Sequence, residues 1–274
     1  MKAIFDKVSN DCSEITTKTY STSFSLGIKV LDKRLHNPIY GIYGFVRFAD
    51  EIVDSFHNYN KKELFKKYKS DTYLGINNKI SLNPIINSFQ EVVNKFKIDH
   101  SLIESFLNSM EMDLEDQNYD ENTYKKYILG SAEVVGLMCL TIFVNGDQNK
   151  YKKLKPYAMK LGSAFQKINF LRDINDDYKT LGRTYFPEIN MENFSKSDKL
   201  KIENEIENEF IEGLKGIRML PNTAKVGVYL AYKYYYNLFK KIKKIPAQQI
   251  LKKRTRISNF RKFTILVSSM IKYH

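Results

Sequence analysis

The sequence predicts an all-α fold, one domain spanning residues 1–274, and three observations carry that reading. Glycine and proline, which punctuate helices, number only 12 and 6 in 274 residues. Apolar residues recur three and four apart through most of the chain, the spacing of one helix face. No run alternates apolar and polar residues long enough to read as a strand, no repeat has a fixed period, and no stretch has a linker's composition.

About ten helices follow when the chain is taken in order. Residues 1–19 read as a short amphipathic helix. The hydroxyl-rich YSTSFSLG at 20–27 has no helical period and reads as a turn beside a site. Pro38 is placed near the first turn of a long helix, PIYGIYGFVRFADEIVDSF, where a missing N–H costs least. Polar residues 57–62 close it. A helix over 61–73 and a loop through Gly75–Asn78 lead to Asn83-Pro84, a helix start. Residues 84–96 and 101–113 have helical apolar spacing. Asp120–Asn122 is a break, and Thr123 is the candidate cap of a helix reaching Val144. Asn145-Gly146-Asp147 is a turn signal. A long helix runs from about Tyr151 to near Gly182, and residues 183–196 form a loop containing Pro187. Ser197 caps a charged helix to Ile217. Pro221 and Pro246 delimit two last helices, 222–244 and 247–273.

Composition narrows the function classes. The net charge is +13, yet the first 212 residues hold 29 basic against 31 acidic side chains. Glu212 is the last acidic residue, and the stretch from Gly213 onward carries 15 Lys and Arg. Such a region suits polyanions: diphosphates, an anionic membrane surface or nucleic acid. Cys12 and Cys139 lie far apart without metal-ligand spacing, so neither a disulfide scaffold nor a zinc site is indicated, and a reducing cytoplasm is expected. The N-terminal MKAIFDKVSNDC lacks an apolar stretch of signal length. The apolar run Val134–Val144 is too short to span a bilayer. A cytoplasmic protein, attached peripherally at most, is the expectation.

The chemistry concentrates in two stretches. In LGSAFQKINFLRDINDDYKTLGRTYFP (161–187), Gln166, Asn169, Asp173 and Asp177 fall in one helical stripe, with Arg172 at its edge. Leu161, Ala164, Ile168 and Leu171 gather on the other side. In the helix after Pro38, Tyr43, Arg47, Asp50 and Asp54 lie within roughly 60° of one another, opposite Phe45, Phe48, Ile52 and Phe56. Each stretch pairs aspartates at i and i+4, which repel. A helical wheel does not tell a solvated face from a cavity face, but a solvated face mixes Lys and Glu, whereas these carry Tyr, Arg, Gln, Asn and Asp. Facing one another across a cavity, the four aspartates would form an anionic nest suited to two or three Mg²⁺ ions, with Mn²⁺ as a substitute. Mg²⁺ favours a few carboxylates plus phosphate oxygens, so the implied ligand is a diphosphate, with Arg47 and Arg172 as bidentate partners.

These residues carry a family resemblance. YGFVRFADEIVD (43–54), MEMDL (110–114), YILGSAEVVG (127–136), LGSAFQKINFLRDINDD (161–177) and RTYFP (183–187) resemble the squalene/phytoene synthases, the head-to-head prenyl transferases, with bacterial phytoene synthase as the nearest branch. The resemblance implies an isoprenoid synthase-type helical bundle around a central cavity. It also implies an Mg²⁺-dependent enzyme that condenses two geranylgeranyl diphosphates to phytoene through a cyclopropyl intermediate. Squalene or dehydrosqualene formation from two farnesyl diphosphates is the alternative, and NADPH is not expected for phytoene. By the same resemblance Asp50, Asp54, Asn169, Asp173 and Asp177 hold Mg²⁺, and Tyr43, Arg47, Gln166 and Arg172 contact the diphosphates. Ser21, Thr22, Ser23 and Phe24 close over one diphosphate. Tyr127 and Tyr235 belong to the substrate site, Tyr185 lies near the mouth, and Arg256 or Arg254 reaches the phosphates from the C-terminal region. Thr22 stands where some members have a basic residue, and Glu133 where many have glycine. A non-catalytic binding relative would have lost the aspartates, and all four are present. Nucleic-acid binding is not expected, because it leaves the paired aspartates unexplained. The basic clusters at 240–244 and 252–256 are expected to be solvated or to face a membrane.

Overall fold

The computed structural model describes residues 1–115, 120–181 with side chains to 174, 185–187, 189, 193–251, 255, 257–258, 262, 264–266 and 269. Among them there is no strand. The helices are α1 (Lys2–Tyr20), α2 (Thr22–Lys29), α3 (Lys33–Ser55), α4 (Lys61–Asn78), α5 (Pro84–Phe96), α6 (His100–Met112), α7 (Glu121–Ile128), α8 (Val134–Phe143), α9 (Gln148–Leu181), α10 (Lys196–Met219), α11 (Asn222–Lys243) and α12 (Ala247–Ile250). A π-helical segment, Leu129–Glu133, joins α7 to α8 without a break.

Several boundaries differ from the sequence expectation for identifiable reasons. YSTSFSLG is a helix start rather than a turn. Ser21 is extended and accepts from the Phe24 N–H, while the Ser25 hydroxyl bonds back to the Ser21 carbonyl at 2.7 Å. Hydroxyls that compete with the backbone in isolation here serve it. The long helix begins a turn earlier than Pro38, because Asp32 caps the Arg34 N–H. Pro38 therefore lies inside α3 and gives up one backbone bond. Asn83 caps α5 with Pro84 at the first position, as expected. Asp120, not Thr123, caps α7, accepting from the Thr123 N–H at 2.7 Å. Ser195 caps α10 in a reciprocal box with Asp198, two residues before Ser197. The turn at 145–147 is present, with Asn145 and Gly146 both at positive φ. The single helix expected over 247–273 is not formed: α12 ends at Ile250, and Thr255, Ile257 and Ser258 are not helical.

Two apolar cores hold the helices. One joins α3 to α4, α5, α6 and α8, with Phe45 stacked on Phe89 at 3.8 Å between ring centroids and Phe106 beside them. The other joins α9, α10 and α11 around Ile168, Phe210 and Phe239. The apolar back of α3 is confirmed at Phe45 and Ile52, but Phe48 is exposed. α9 packs most extensively on α10, and that contact is ionic at its centre. The Lys167 ammonium lies 2.8 Å from Glu209 and 2.5 Å from Glu205, and the Ser163 hydroxyl donates to Glu209 at 2.9 Å. Gly162 lets α9 approach the π segment: a Cβ there would stand 2.8 Å from the Ala132 carbonyl oxygen. Gly227 does the same for α11 on α2, where a Cβ would stand 2.6 Å from the Gly27 carbonyl oxygen.

Candidate active site

Between the two cores lies a cavity of about 300 Å³. Its long apolar part is walled by residues such as Ile42, Val46, Val135, Leu140 and Phe143. Its polar part collects Phe24 from α2, Tyr43 from α3, Gln166 and Asn169 from α9, and Tyr235 from α11. The two stretches singled out in sequence thus meet at one cavity, and α2 and α11 join them there.

The polar part is a chain of contacts. Phe24 packs its ring against Tyr43 at 5.7 Å and Tyr235 at 5.9 Å. The Tyr235 hydroxyl donates to Asn169 Oδ1 at 3.4 Å, and the Asn169 amide donates to Gln166 Oε1 at 3.4 Å. Tyr235 also stacks on Phe165 with 4.0 Å between centroids. Burial pushes the Tyr43 hydroxyl up to about 12 and the Tyr235 hydroxyl in the same direction, so both remain proton donors at neutral pH. Leu161, expected on the far side of α9 from the polar stripe, also lines the cavity. Ala164, Ile168 and Leu171 are buried in the core as expected.

The charged groups follow from helical spacing. Arg47 reaches Asp50 and Glu51 with its two terminal nitrogens, and its guanidinium lies 4.4 Å over the Tyr20 ring. Its Nε is buried without a hydrogen-bond partner among the described residues. Removal from water, then the neighbouring Asp54, and Asp113 and Glu51 beyond it, push the Asp50 carboxyl up to about 7 against the pull of Arg47. On α9, Arg172 holds Asp173 through Nε at 2.9 Å and Nη2 at 2.5 Å. A carboxylate-rich face with only hard oxygen donors, in which Asp50 is held partly protonated at neutral pH, fits a small divalent cation. Among the described residues no three such ligands converge to close a cage. The Asp176 and Asp177 side chains, Arg183, Arg254 and Arg256 lie outside the described residues.

Other expected residues are placed differently. Tyr127 does not line the cavity: its hydroxyl donates to the buried Asp113 at 2.7 Å, and its ring packs on Phe170 and Tyr185. Tyr185 is 8% exposed and stacks on Phe170 at 4.1 Å, inside an aromatic cluster rather than at a mouth. Ser21 caps α2 and also hydrogen-bonds the Tyr43 hydroxyl at the cavity, and Ser23 sits half-buried in that helix's first turn. Glu133 does not line the cavity. Burial pushes its carboxyl up, countered by Lys160, which places it beside the Lys167–Glu209 contact.

Two residues were missed in sequence. Asp113 was quoted within MEMDL but given no role, and its Tyr127 bond and field on Asp50 are tertiary. Lys262 donates to the Thr22 hydroxyl at 2.5 Å while its carbonyl accepts from the Tyr234 hydroxyl at 3.0 Å. A cation thus stands beside Thr22, and nothing short of the fold brings positions 22 and 262 together.

An all-α bundle whose aspartate-bearing helices flank one apolar cavity defines an isoprenoid synthase fold. The squalene/phytoene synthase model matches residues 17–261, and the chain belongs to that family, prenyltransferase-type synthases that join two prenyl diphosphates head to head. The 4,4'-diapophytoene synthase of Staphylococcus haemolyticus is 22% identical over 96% of both chains. The phytoene synthase of Cereibacter sphaeroides is 28% identical over 66% of this chain and 52% of its own length. A dehydrosqualene synthase solved with a ligand superposes with a TM-score of 0.82 over 97% of both chains at 21% identity. A squalene synthase from Alicyclobacillus acidocaldarius gives 0.76 over 91% of this chain and 97% of its own, at 17% identity.

Proposed function

We propose that the protein condenses two fifteen-carbon prenyl diphosphates into a thirty-carbon hydrocarbon of the dehydrosqualene type. The observation that carries this is the meeting of Tyr43, Gln166, Asn169 and Tyr235 at one end of an apolar cavity, beside the charged runs of α3 and α9. The shorter substrate is favoured over the twenty-carbon one expected from sequence. The cavity, about 300 Å³, is at the low end for ligand sites. A relative matched over nearly its whole length is a diapophytoene synthase. The phytoene reading rests on the higher identity, over part of the chain, to the Cereibacter enzyme.

Asp50 and Asp54 on α3, with Asn169, Asp173 and Asp177 on α9, are the residues that would hold Mg²⁺. Bound there, it would supply positive charge to the diphosphate that leaves. Arg47 and Arg172, each already oriented by a carboxylate, offer bidentate contacts to phosphate oxygens. The Tyr43 and Tyr235 hydroxyls, kept protonated, can each donate to a phosphate oxygen. When the C1–O bond of the first substrate breaks, the allylic cation must meet the double bond of the second before it meets water. Loss of a proton closes a cyclopropane. Departure of the second diphosphate, rearrangement and loss of another proton then give the hydrocarbon. The apolar walls exclude water, and the faces of Phe165 and Tyr235 stabilise cationic carbon by roughly 0.5–2 kcal/mol per contact.

The test incubates purified protein with farnesyl or geranylgeranyl diphosphate and Mg²⁺, with and without NADPH, and identifies the hydrocarbon. A thirty-carbon product without NADPH is expected. A forty-carbon product alone would overturn the chain length, and full activity of Asp50→Asn would overturn the metal-diphosphate site.

A further inference from the structure

Outside the active-site cavity, a second and wider cleft of about 740 Å³ opens at the C-terminal end of α11. Its lining is Tyr236, Asn237, Lys240, Lys241, Lys243 and Lys244 of α11 and the residue after it, Glu207 of α10, and Ile257 and Ser258 from the segment beyond α12. Four lysines therefore face one carboxylate. That carboxylate is already engaged, accepting from the Tyr236 hydroxyl at 2.7 Å and pairing with Lys243 at 3.1 Å. Lys240 and Lys244 have no ion-pair partner among the described residues, and the Lys240 ammonium stands 4.6 Å over the Tyr236 ring. Lysines in the last turn of a helix answer its carbonyl dipole. That accounts for their presence on α11, but not for a cleft whose far wall is Ile257 and Ser258.

We infer that this cleft is a seat for the phosphate headgroups of an anionic membrane, holding the protein on a lipid surface by the end of α11. The cleft combines what a headgroup needs: the Lys240 and Lys244 ammonium groups for the phosphate, and apolar surface from Ile257 and Tyr236 for the glycerol and upper acyl carbons. The cleft is built largely from the part of the sequence that carries the whole charge excess, since no acidic residue follows Glu212. The cleft and the active-site cavity use different faces of α11, Tyr236 lining the first and Tyr235 the second. Occupation of one therefore leaves the other open. The inference does not depend on the substrate assigned above.

The experiment is sedimentation of the full chain with phosphatidylcholine vesicles, with and without phosphatidylserine. It compares wild type, a cleft triple (Lys240→Gln, Lys241→Gln, Lys244→Gln) and a control triple at remote exposed lysines (Lys66→Gln, Lys126→Gln, Lys152→Gln). The expected result is binding to the serine-containing vesicles alone, abolished by high salt. The cleft triple should bind at least tenfold more weakly and the control triple like wild type, with activity on detergent-solubilised substrate unchanged in both. Equal losses in the two triples would reduce the effect to net charge and overturn the site. No vesicle binding by wild type would overturn it as well. So would inorganic phosphate binding that is lost only in the cleft triple while vesicles go unbound, which would assign the cleft to a free anion.

Discussion

The contact between α9 and α10 sets the angle at which the Gln166–Asn169–Asp173 face meets the cavity, and its strength can be worked out. Lys167 has a side chain only 4% exposed, between Glu209 at 6% and Glu205 at 54%. Glu209→Gln keeps the shape and removes the charge, leaving a buried ammonium whose remaining anion is more than half in water. Breaking a buried pair from one side costs about 3–5 kcal/mol, and the surviving Glu205 contact argues for about 3. Removing both charges as Lys167→Met with Glu209→Leu eliminates the stranded ion and the Glu209 Oε2, which is buried without a hydrogen-bond partner among the described residues. It leaves the Ser163 hydroxyl short of an acceptor, and Lys160 and Glu205 without those partners but more than half in water, so the double variant should lose less than about 2 kcal/mol. Urea unfolding of wild type, both single variants and the double variant, at one pH, gives the coupling directly. Single variants within about 1 kcal/mol of wild type, or a double variant equal to the sum of the singles, would refute the claim that this pair locks α9 to α10.

Two further outcomes follow from the site and the helix crossings. Asp50 in the folded chain titrates near 7 instead of near 4, so the folded state holds the proton through that window and ionisation costs stability as pH rises across it. In chelator, Asp50→Asn should therefore melt higher than wild type at pH 8, by on the order of 1–2 kcal/mol once its partial exposure is allowed for, and equally at pH 4; a lower melt at pH 8 would contradict it. Gly227→Ala would drive a methyl to 2.4 Å from Leu31 Cδ2 and 2.6 Å from the Gly27 carbonyl oxygen, and should cost about 1–3 kcal/mol in a thermal or urea titration.

Much of this was legible before any fold was known. The polar faces of α3 and α9 could be read because helical spacing puts Tyr43 with Arg47 and Asp50, and Gln166 with Asn169 and Asp173, whatever surrounds them. Some helix starts were legible: Asn83 caps α5 as read, and the cap of α10 is Ser195, two residues before the Ser197 that sequence offered. What failed was tertiary. Ser21 and Ser25 looked like turn residues because their hydroxyls could bond either way, and the packing of α2 on α11 settled the choice. Tyr127 and Tyr185 were assigned to the substrate site on a resemblance, whereas Asp113 and Phe170 claim them. Glu133 could not be placed by wheel, because the π segment at Leu129–Glu133 shifts the phase of every residue after it. The partnership of Lys262 with Thr22 joins the two ends of the chain, beyond the reach of any local pattern.

The glycines at the helix crossings have a consequence for how such a cavity changes size. At Gly162 the nearest atom to an added methyl is a backbone oxygen of the neighbouring segment, and at Gly227 the methyl would meet the Leu31 side chain and the Gly27 carbonyl oxygen of α2. A methyl there acts as a shim: both glycines line the cavity, and the added group would pry two of its walls apart. A cavity built this way can change size through the spacing of its helices as well as through the bulk of the side chains that line it. Two relatives with identical cavity-facing side chains can then accept substrates of different bulk, and the difference is written in the spacing of their helices.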